Sequence, residues 1–335
     1  MIICPTPFLA RGPVYRGPVR YIAMARGYIS ANNPVVTDLD YRVSQNGLKW
    51  YKKPLKGDIN AHLRSDQSGA FFPEGSIVAF SALWVYGRIW DDGDNSRAVV
   101  FKLSGGEFNR VVTPIDGVKG ATGIRYFSAA AVEAGNLVLI CNNGERAIST
   151  DGASFTGYSA IAFTGKANAI AVGTGVVAVG GDAGQLFTGA SASGAFTSRT
   201  SQFGTTPITQ LVAGNVLLAA GGGKLSTAPL NNGTAWTART DPVGGSNDWA
   251  AYGNARWLIS GIDKLITSVD AATWANVTAR PNVGKRLSAG FWDTDHWLVC
   301  MLTGELGISA DGLNWEVLTN AGLPAKNYRI FAKLP

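Results

Sequence analysis

An aromatic residue closes a short polar turn again and again along this chain, at a nearly constant interval. Phe155, Phe196, Trp236, Trp274 and Trp315 follow one another at steps of 41, 40, 38 and 41 residues. The text before each aromatic repeats as well: "NLVLICNNGERAIST", "VVAVGGDAGQLFTGA", "VLLAAGGGKLSTA", "WLISGIDKLITSV" and "WLVCMLTGELGISA" superpose almost without gaps. Each reads as an apolar strand, a polar or glycine turn, and a second strand ending in Ser, Thr or Ala, which is the pattern of a β-hairpin. Upstream of each lies a strand rich in small residues, such as "FSAAAVEAG" and "NAIAVGTG". A period of roughly 40 residues with β-type sequence implies one four-stranded sheet per repeat, arranged radially as the blades of a propeller. The small residues suit the innermost strand, where blades crowd around a central channel.

The first part of the chain is less regular. Trp50 closes "SQNGLKW" and Phe108 closes "KLSGGEF", at steps of 58 and 47 residues to the next aromatic, both longer than the period by an amount that insertions explain. Counting them gives seven blades, with six or eight as alternatives. The expected fold class is therefore all-β, a single β-propeller of about seven four-stranded blades over residues 19–335, with residues 1–18 as an N-terminal arm. Composition agrees: 46% of residues are hydrophobic, only 16% are charged, and the 42 glycines are spread evenly, as many tight turns require. "NYRIFAKL" at 327–334 follows the last outer strand and is expected to pair with the first blade near "VRYIAMARGYIS" or "DLDYRVSQ", closing the ring.

The turn before each aromatic has a physical logic. In "STDGASF" (149–155) and "SADGLNW" (309–315), Asp151 and Asp311 accept hydrogen bonds from amides ahead of them, and Gly152 and Gly312 permit a positive φ. Ser149 and Ser309 complete the local network, and Phe155 and Trp315 bury a ring between outer strands. "SVDAATW" keeps Ser268, Asp270 and Trp274 but lacks the glycine. "SQNGLKW" offers Ser44, Asn46, Gly47 and Trp50, and "NNGTAW" retains Asn232, Gly233 and Trp236. These residues resemble the Asp-box of sialidase-like β-propellers. In that family the box is structural and lies away from the active site, so the resemblance implies fold and not substrate.

Reaction centres find little material. A sialidase needs an arginine triad and an Arg-Ile-Pro motif near the start; here the nearest text is "YRIF" at 328–331, at the opposite end. Glu133, Glu145 and Glu305 are single acids, and Glu145 and Glu305 occupy equivalent hairpin positions, which favours turn roles over catalysis. His62 and His296 are the only histidines, so a Ser–His–Asp triad or a histidine metal cluster is not expected. Asp91, Asp92 and Asp94 lack the spacing of an EF-hand loop and read as a solvated connection. Trp84, Tyr86 and Trp90 alternate as one face of a strand and read as core. Cys4, Cys141 and Cys300 lack metal-type spacing; Cys141 and Cys300 are equivalent, three blades apart, and read as buried thiols. No catalytic, cofactor or metal residue is assigned.

The net charge of +6 is dispersed, without the focused stripe of a nucleic-acid binder. Arg11, Arg16 and Arg20 form a local excess that reads as a docking arm for a partner protein. No apolar run reaches the roughly 18 residues of a membrane span, and the start lacks the pattern of a secretory signal. Low charge, abundant glycine and degenerate repeats give the chain the look of bacteriophage virion propellers. The expected function is a non-enzymatic tail or receptor-binding module, made in the host cytoplasm, docked to other virion proteins, with a host surface glycan as a further candidate partner. A glycan-binding or glycan-hydrolysing propeller and an intracellular assembly factor are the alternatives.

Overall fold

The computed structural model describes residues 19–26, 39–59, 71–90, 96–115 and 125–335. These form seven four-stranded antiparallel sheets and, among the described residues, no α-helix. Strands β1 (Tyr21–Arg26), β2 (Asp40–Ser44) and β3 (Tyr51–Lys52) belong to blade one. Blade two is β4 (Phe71–Ala79), β5 (Ala82–Trp90), β6 (Ser96–Ser104) and β7 (Glu107–Val111). Blade three is β8 (Phe127–Glu133), β9 (Asn136–Cys141), β10 (Arg146–Ser149) and β11 (Thr156–Tyr158). Blade four is β12 (Ala167–Gly173), β13 (Val176–Gly181), β14 (Leu186–Gly189) and β15 (Thr197–Arg199). Blade five is β16 (Gln210–Ala213), β17 (Val216–Gly221), β18 (Lys224–Pro229) and β19 (Thr237–Arg239). Blade six is β20 (Trp249–Gly253), β21 (Arg256–Gly261), β22 (Lys264–Ser268) and β23 (Ala275–Asn276). Blade seven is β24 (Leu287–Asp293), β25 (His296–Met301), β26 (Leu306–Ser309) and β27 (Glu316–Leu318). The last strand, β28 (Asn327–Lys333), returns to blade one as its innermost member.

The protein is thus a seven-bladed β-propeller, as the period of the aromatics implies. The first strand of each blade packs against its counterparts on both sides, in the cyclic order β28, β4, β8, β12, β16, β20, β24. Alanines 129, 131, 169, 171 and 250 are buried on these inner strands, where only small side chains fit between converging blades. The second strands carry the thickest apolar runs: β9, β13, β17, β21 and β25 are buried along almost their whole length. Blade two departs from the repeat. Its outer hairpin turns through Gly105 and Gly106, both at positive φ, and Phe108 sits inside β7 opposite Leu103 instead of after an acidic turn.

Closure is made by both chain ends. β28 pairs antiparallel with β1, placing Tyr21 opposite Lys333 and Ala23 opposite Phe331. Asp293, at the end of β24, is buried and accepts hydrogen bonds from the Tyr21 hydroxyl and the Lys333 ammonium. One carboxylate therefore ties the last complete blade to both terminal strands. Burial alone would raise its pKa, but the bonds from Lys333 and Tyr21 outweigh that and hold it below the ordinary value. Trp50 seals the seam from outside, its ring 5.2 Å from that of Phe331 and its amide 2.7 Å from the Ala321 carbonyl.

Deleting residues 327–335 removes an entire inner strand and is expected to abolish soluble expression or sharply lower the melting temperature. Asp293→Ala, which removes only the clamp, should cost about 1–3 kcal/mol in urea unfolding. A deletion that melts like the parent would show that closure lies elsewhere.

Candidate functional site

The meander topology gives the ring two faces. On one lie the turns between first and second strands and between third and fourth strands; on the other lie the turns between second and third strands and the connections from blade to blade.

The first face carries the repeated polar turns, and there the hydrogen bonding follows the expected logic. In blade three the Ser149 hydroxyl accepts from Gly152 N at 2.8 Å, and Asp151 Oδ1 accepts from Ala153 N and Ser154 N at 2.8 and 2.9 Å. Blade seven repeats this with Ser309, Asp311 and Gly312, and blade one does so with Ser44, Asn46 and Gly47. Blade six manages without the glycine because Ala271 itself adopts φ +56°. In blade five the Asn232 side chain accepts from Thr234 N at 3.0 Å. The indole N–H groups of Trp50, Trp236, Trp274 and Trp315 each donate to the carbonyl three residues back, at 2.8–3.2 Å. Phe155 has no such donor, and Lys102 Nζ of blade two supplies one to the Gly152 carbonyl at 3.1 Å.

The turns fasten blade to blade as well as strand to strand. Thr174 N donates to the Leu230 carbonyl, Asn215 Nδ2 to the Val269 carbonyl, and Asn254 Nδ2 to the Ala310 carbonyl, each from the preceding blade's inner hairpin. Blade four's turn has lost its acid and is held from outside. Glu133 accepts from Ala192 N, and Arg146 donates to the Ala192 and Gly194 carbonyls at 2.6 and 2.8 Å. Arg146 occupies the place that Leu186, Leu225, Leu265 and Leu306 fill in other blades, with its guanidinium over the rings of Tyr158 and Phe196. Burial of the aromatics is uneven. Trp50 and Trp236 are buried, whereas Trp315, expected to be buried, is only half-buried, like Phe155 and Trp274.

Other singled-out residues find partners. Glu145 pairs with Arg125 at 3.3 Å and Glu305 pairs with Lys285, so these equivalent acids tie each inter-blade connection to the following hairpin. Gln185, Lys224 and Lys264 perform the same task at the same position by bonding Thr164 N, the Phe203 carbonyl and the Pro242 carbonyl. His296 lies between Asp293 and Asp295, a trio whose ligand atoms are within 4.8 Å of one another, but the Lys333 ammonium already sits on Asp293. Cys141 and Cys300 are buried thiols, pushed up to about 11 and about 12 by desolvation. Arg20 bonds through its backbone to Ser44 and Leu334, so it belongs to the edge of blade one. Arg11, Arg16, Cys4, His62, Asp91, Asp92 and Asp94 lie outside the described residues, as does the side chain of Trp90.

The second face opens on a cavity of about 730 Å³ at the mouth of the channel. A shared irregularity shapes it. The pairing of first and second strands slips by one residue in blades two, three, four and seven, leaving Glu74, Ser128, Asn168 and Ser288 out of register. In blade one the same slip on β28 frees Arg329. Thr209 and Asp248, just ahead of β16 and β20, stand at the equivalent places, hydrogen-bonded by their backbones to Ala220 and Ser260. A bulge re-aims a side chain. Here it produces a ring of one polar residue per blade: Arg329, Glu74, Ser128, Asn168, Thr209, Asp248 and Ser288, all but the last lining the cavity.

The hydroxyls of Ser128, Thr209 and Ser288 fold back onto the carbonyls of Ile140, Ala220 and Cys300. Asn168 is fixed by Asp182 Oδ1 at 2.9 Å, and Asp248 by Arg286 Nε at 2.9 Å. Glu74 is different. Its carboxyl is raised by burial and drawn back by Arg329, Arg88 and Lys166. Tyr86, read from the sequence as core, is buried yet also lines this cavity. Sequence reasoning missed the ring. The signal was available as one polar residue at a fixed place in the repeat, directly before or within each small-residue strand.

No family model matches the chain, and no curated protein matches it. Solved structures do. YCF48 bound to D1 peptide superposes with a TM-score of 0.55 at 12% identity, covering 74% of this chain and 82% of that one. A catalytically inactive virginiamycin B lyase from Staphylococcus aureus with quinupristin gives 0.60 at 12% identity, covering 81% and 94%. The Pan2 WD40 domain of Neurospora crassa gives 0.56 at 9% identity, covering 73% and 78%. At these identities the likeness is one of fold. Among the described residues no helix is long and apolar enough to cross a membrane.

Trp50→Ala should cost about 3–5 kcal/mol, as for a large core residue, and Trp315→Ala about 1–2 kcal/mol because part of its ring is already in water. Equal costs would contradict the burial difference. The turn hydrogen bonds depress Asp270 to about 2, chiefly through Thr273 N and Ala272 N, and hold Asp151 and Asp311 below the usual carboxylate range. Groups with depressed folded pKa stabilise fully above the unfolded value of about 3.9 and lose that contribution as pH falls toward 2. Urea midpoints measured between pH 5 and 2 should therefore fall, and should fall less in an Asp270→Asn variant.

Proposed function

We propose that this propeller is a non-enzymatic interaction module that holds an extended segment of a partner protein at the mouth of its channel. The observation that carries this reading is the ring of bulged side chains. Five repeats turn one residue out of register and two more place a polar residue at the equivalent position, six of the seven line the same opening, and several are held in place by hydrogen bonds before any ligand arrives. Preorganised polar groups around a concave mouth recognise backbone and side-chain polar atoms at small entropic cost. The peptide in the YCF48 structure is a precedent for a propeller of this general shape holding one.

The setting we propose is a bacteriophage virion, as a tail or receptor-binding component, with residues 1–18 as the docking arm. Its supports are the low charge and high glycine content, the degenerate repeats and the Arg/Pro-rich start. We read the polar turns as Asp-box variants, on the strength of the shared Ser–Asp–amide bonding in blades three, six and seven.

A random-peptide library panned against the purified protein is expected to enrich peptides that bind wild type and fail to bind a Ser128→Trp variant of unchanged melting temperature, in which the indole occupies the mouth. Absence of enrichment, or equal binding to both, would overturn the reading. Deleting residues 2–18 should leave the melting temperature unchanged while weakening attachment to particles. Absence of the protein from purified particles would remove the virion setting.

A further inference from the structure

The mouth is not electrostatically balanced, and the imbalance lies on one arc. Two of its acids are fully engaged. Asp182 accepts from Lys166 N at 3.1 Å and Asn168 Nδ2 at 2.9 Å, and Asp248 holds the Arg286 guanidinium and the Ser246 hydroxyl. The remaining acid is Glu74, on β4. Its surroundings can be named element by element: Arg329 from β28, Arg88 and Tyr86 from β5, Lys166 from the approach to β12, and Tyr126 from the approach to β8. Arg88 lies 4.0 Å from Glu74 and over the rings of Phe72 and Tyr126. Lys166 and Arg329 are both exposed, both line the cavity, and neither has a salt-bridge partner among the described residues. Arg88, Lys166 and Arg329 thus stand against the half-buried Glu74 carboxyl and the Asp182 carboxylate, which is bonded only by neutral donors, leaving one positive charge in excess on this arc.

We propose that the mouth takes an acidic peptide segment, with a carboxylate side chain held between Lys166 and Arg329, and that Glu74 takes up a proton as this anion arrives. This rests on the reading of the mouth as a peptide site and names the chemistry of the peptide. The linkage has a direct physical cause. A second carboxylate entering among the same three cations competes with Glu74 for them, and two carboxylates at close quarters raise the pKa of one. Burial already disposes Glu74 toward its neutral form, so it is the one that yields. The proton comes from solvent, and the neutral carboxyl becomes a hydrogen-bond donor to the ligand. Binding linked to proton uptake weakens as pH rises.

The probe is a hexa-aspartate peptide, which stays ionised above about pH 5, measured by titration calorimetry from pH 5.5 to 8 in buffers of different ionisation enthalpy. Hexa-lysine serves as the control. Wild type should bind hexa-aspartate with net proton uptake and with affinity falling as pH rises. Glu74→Gln should bind about tenfold more tightly at pH 8, the equivalent of one pKa unit, with its proton uptake lost and its pH profile flattened. Lys166→Gln combined with Arg329→Gln should lose tenfold or more, with the circular dichroism of wild type.

Hexa-aspartate binding no better than hexa-lysine, or binding indifferent to the double variant, overturns the acidic-peptide assignment. A Glu74→Gln profile identical to wild type overturns the proton linkage. The two readings separate cleanly: library peptides that depend on an open mouth but ignore Lys166 and Arg329 would leave the proposed function standing and remove this inference.

Discussion

Everything in this molecule depends on the ring being shut. A radial array of sheets has a cut wherever the chain begins and ends, and inner strands on either side of the cut would be left with unpaired edges. Here the cut is closed by strand exchange between the termini, with β28 supplying the inner strand that β1 needs and the Asp293 carboxylate joining both to blade seven. The bond is a buried charge that touches two partners from opposite ends of the sequence, about as non-local as a contact can be. Its entropic cost of formation is correspondingly high, so the other six blades are expected to be well formed before it closes.

Within blades three to seven, the same structural problem is solved five times with different residues. A connection entering each blade must be fixed to the hairpin that follows it. Glu145 and Glu305 do this with an ion pair, Gln185 with an amide oxygen, and Lys224 and Lys264 with an ammonium on a carbonyl. The chemistry is interchangeable because the geometry supplied by the repeat is not. Arg146 shows the limit of that freedom. A charge in a leucine's place is tolerated where three carbonyls and two rings receive it, and in return it steadies a neighbouring turn that has lost its own acid.

The blades were legible in the sequence because a 40-residue period survives even when single positions drift. Trp50, Phe155, Trp236, Trp274 and Trp315 all mark real outer turns, and the closing strand could be placed from its alternation. Phe108 marks the outer turn of blade two as well, but that turn is a two-glycine hairpin and the ring lies inside β7 rather than after it. Burial of individual rings was also hidden: Trp50 is covered by Phe331 and Ala321, which arrive from the far end of the chain, and Trp315 has no such cover. The polar ring escaped notice because a bulge is a slip of one residue, too small to disturb a period of two or of forty. Only the stacked register of all seven inner strands makes it visible.

The way the ends meet also gives the disc a direction. β1 begins with Tyr21 beside Lys333 and Asp293, on the face that carries the polar turns, while Arg329 and the channel mouth open on the reverse. The described chain therefore enters blade one on the face opposite the mouth. Were the molecule held from that face, its opening would point outward, as a socket on a stalk does, and copies mounted on a common support would all face the same way.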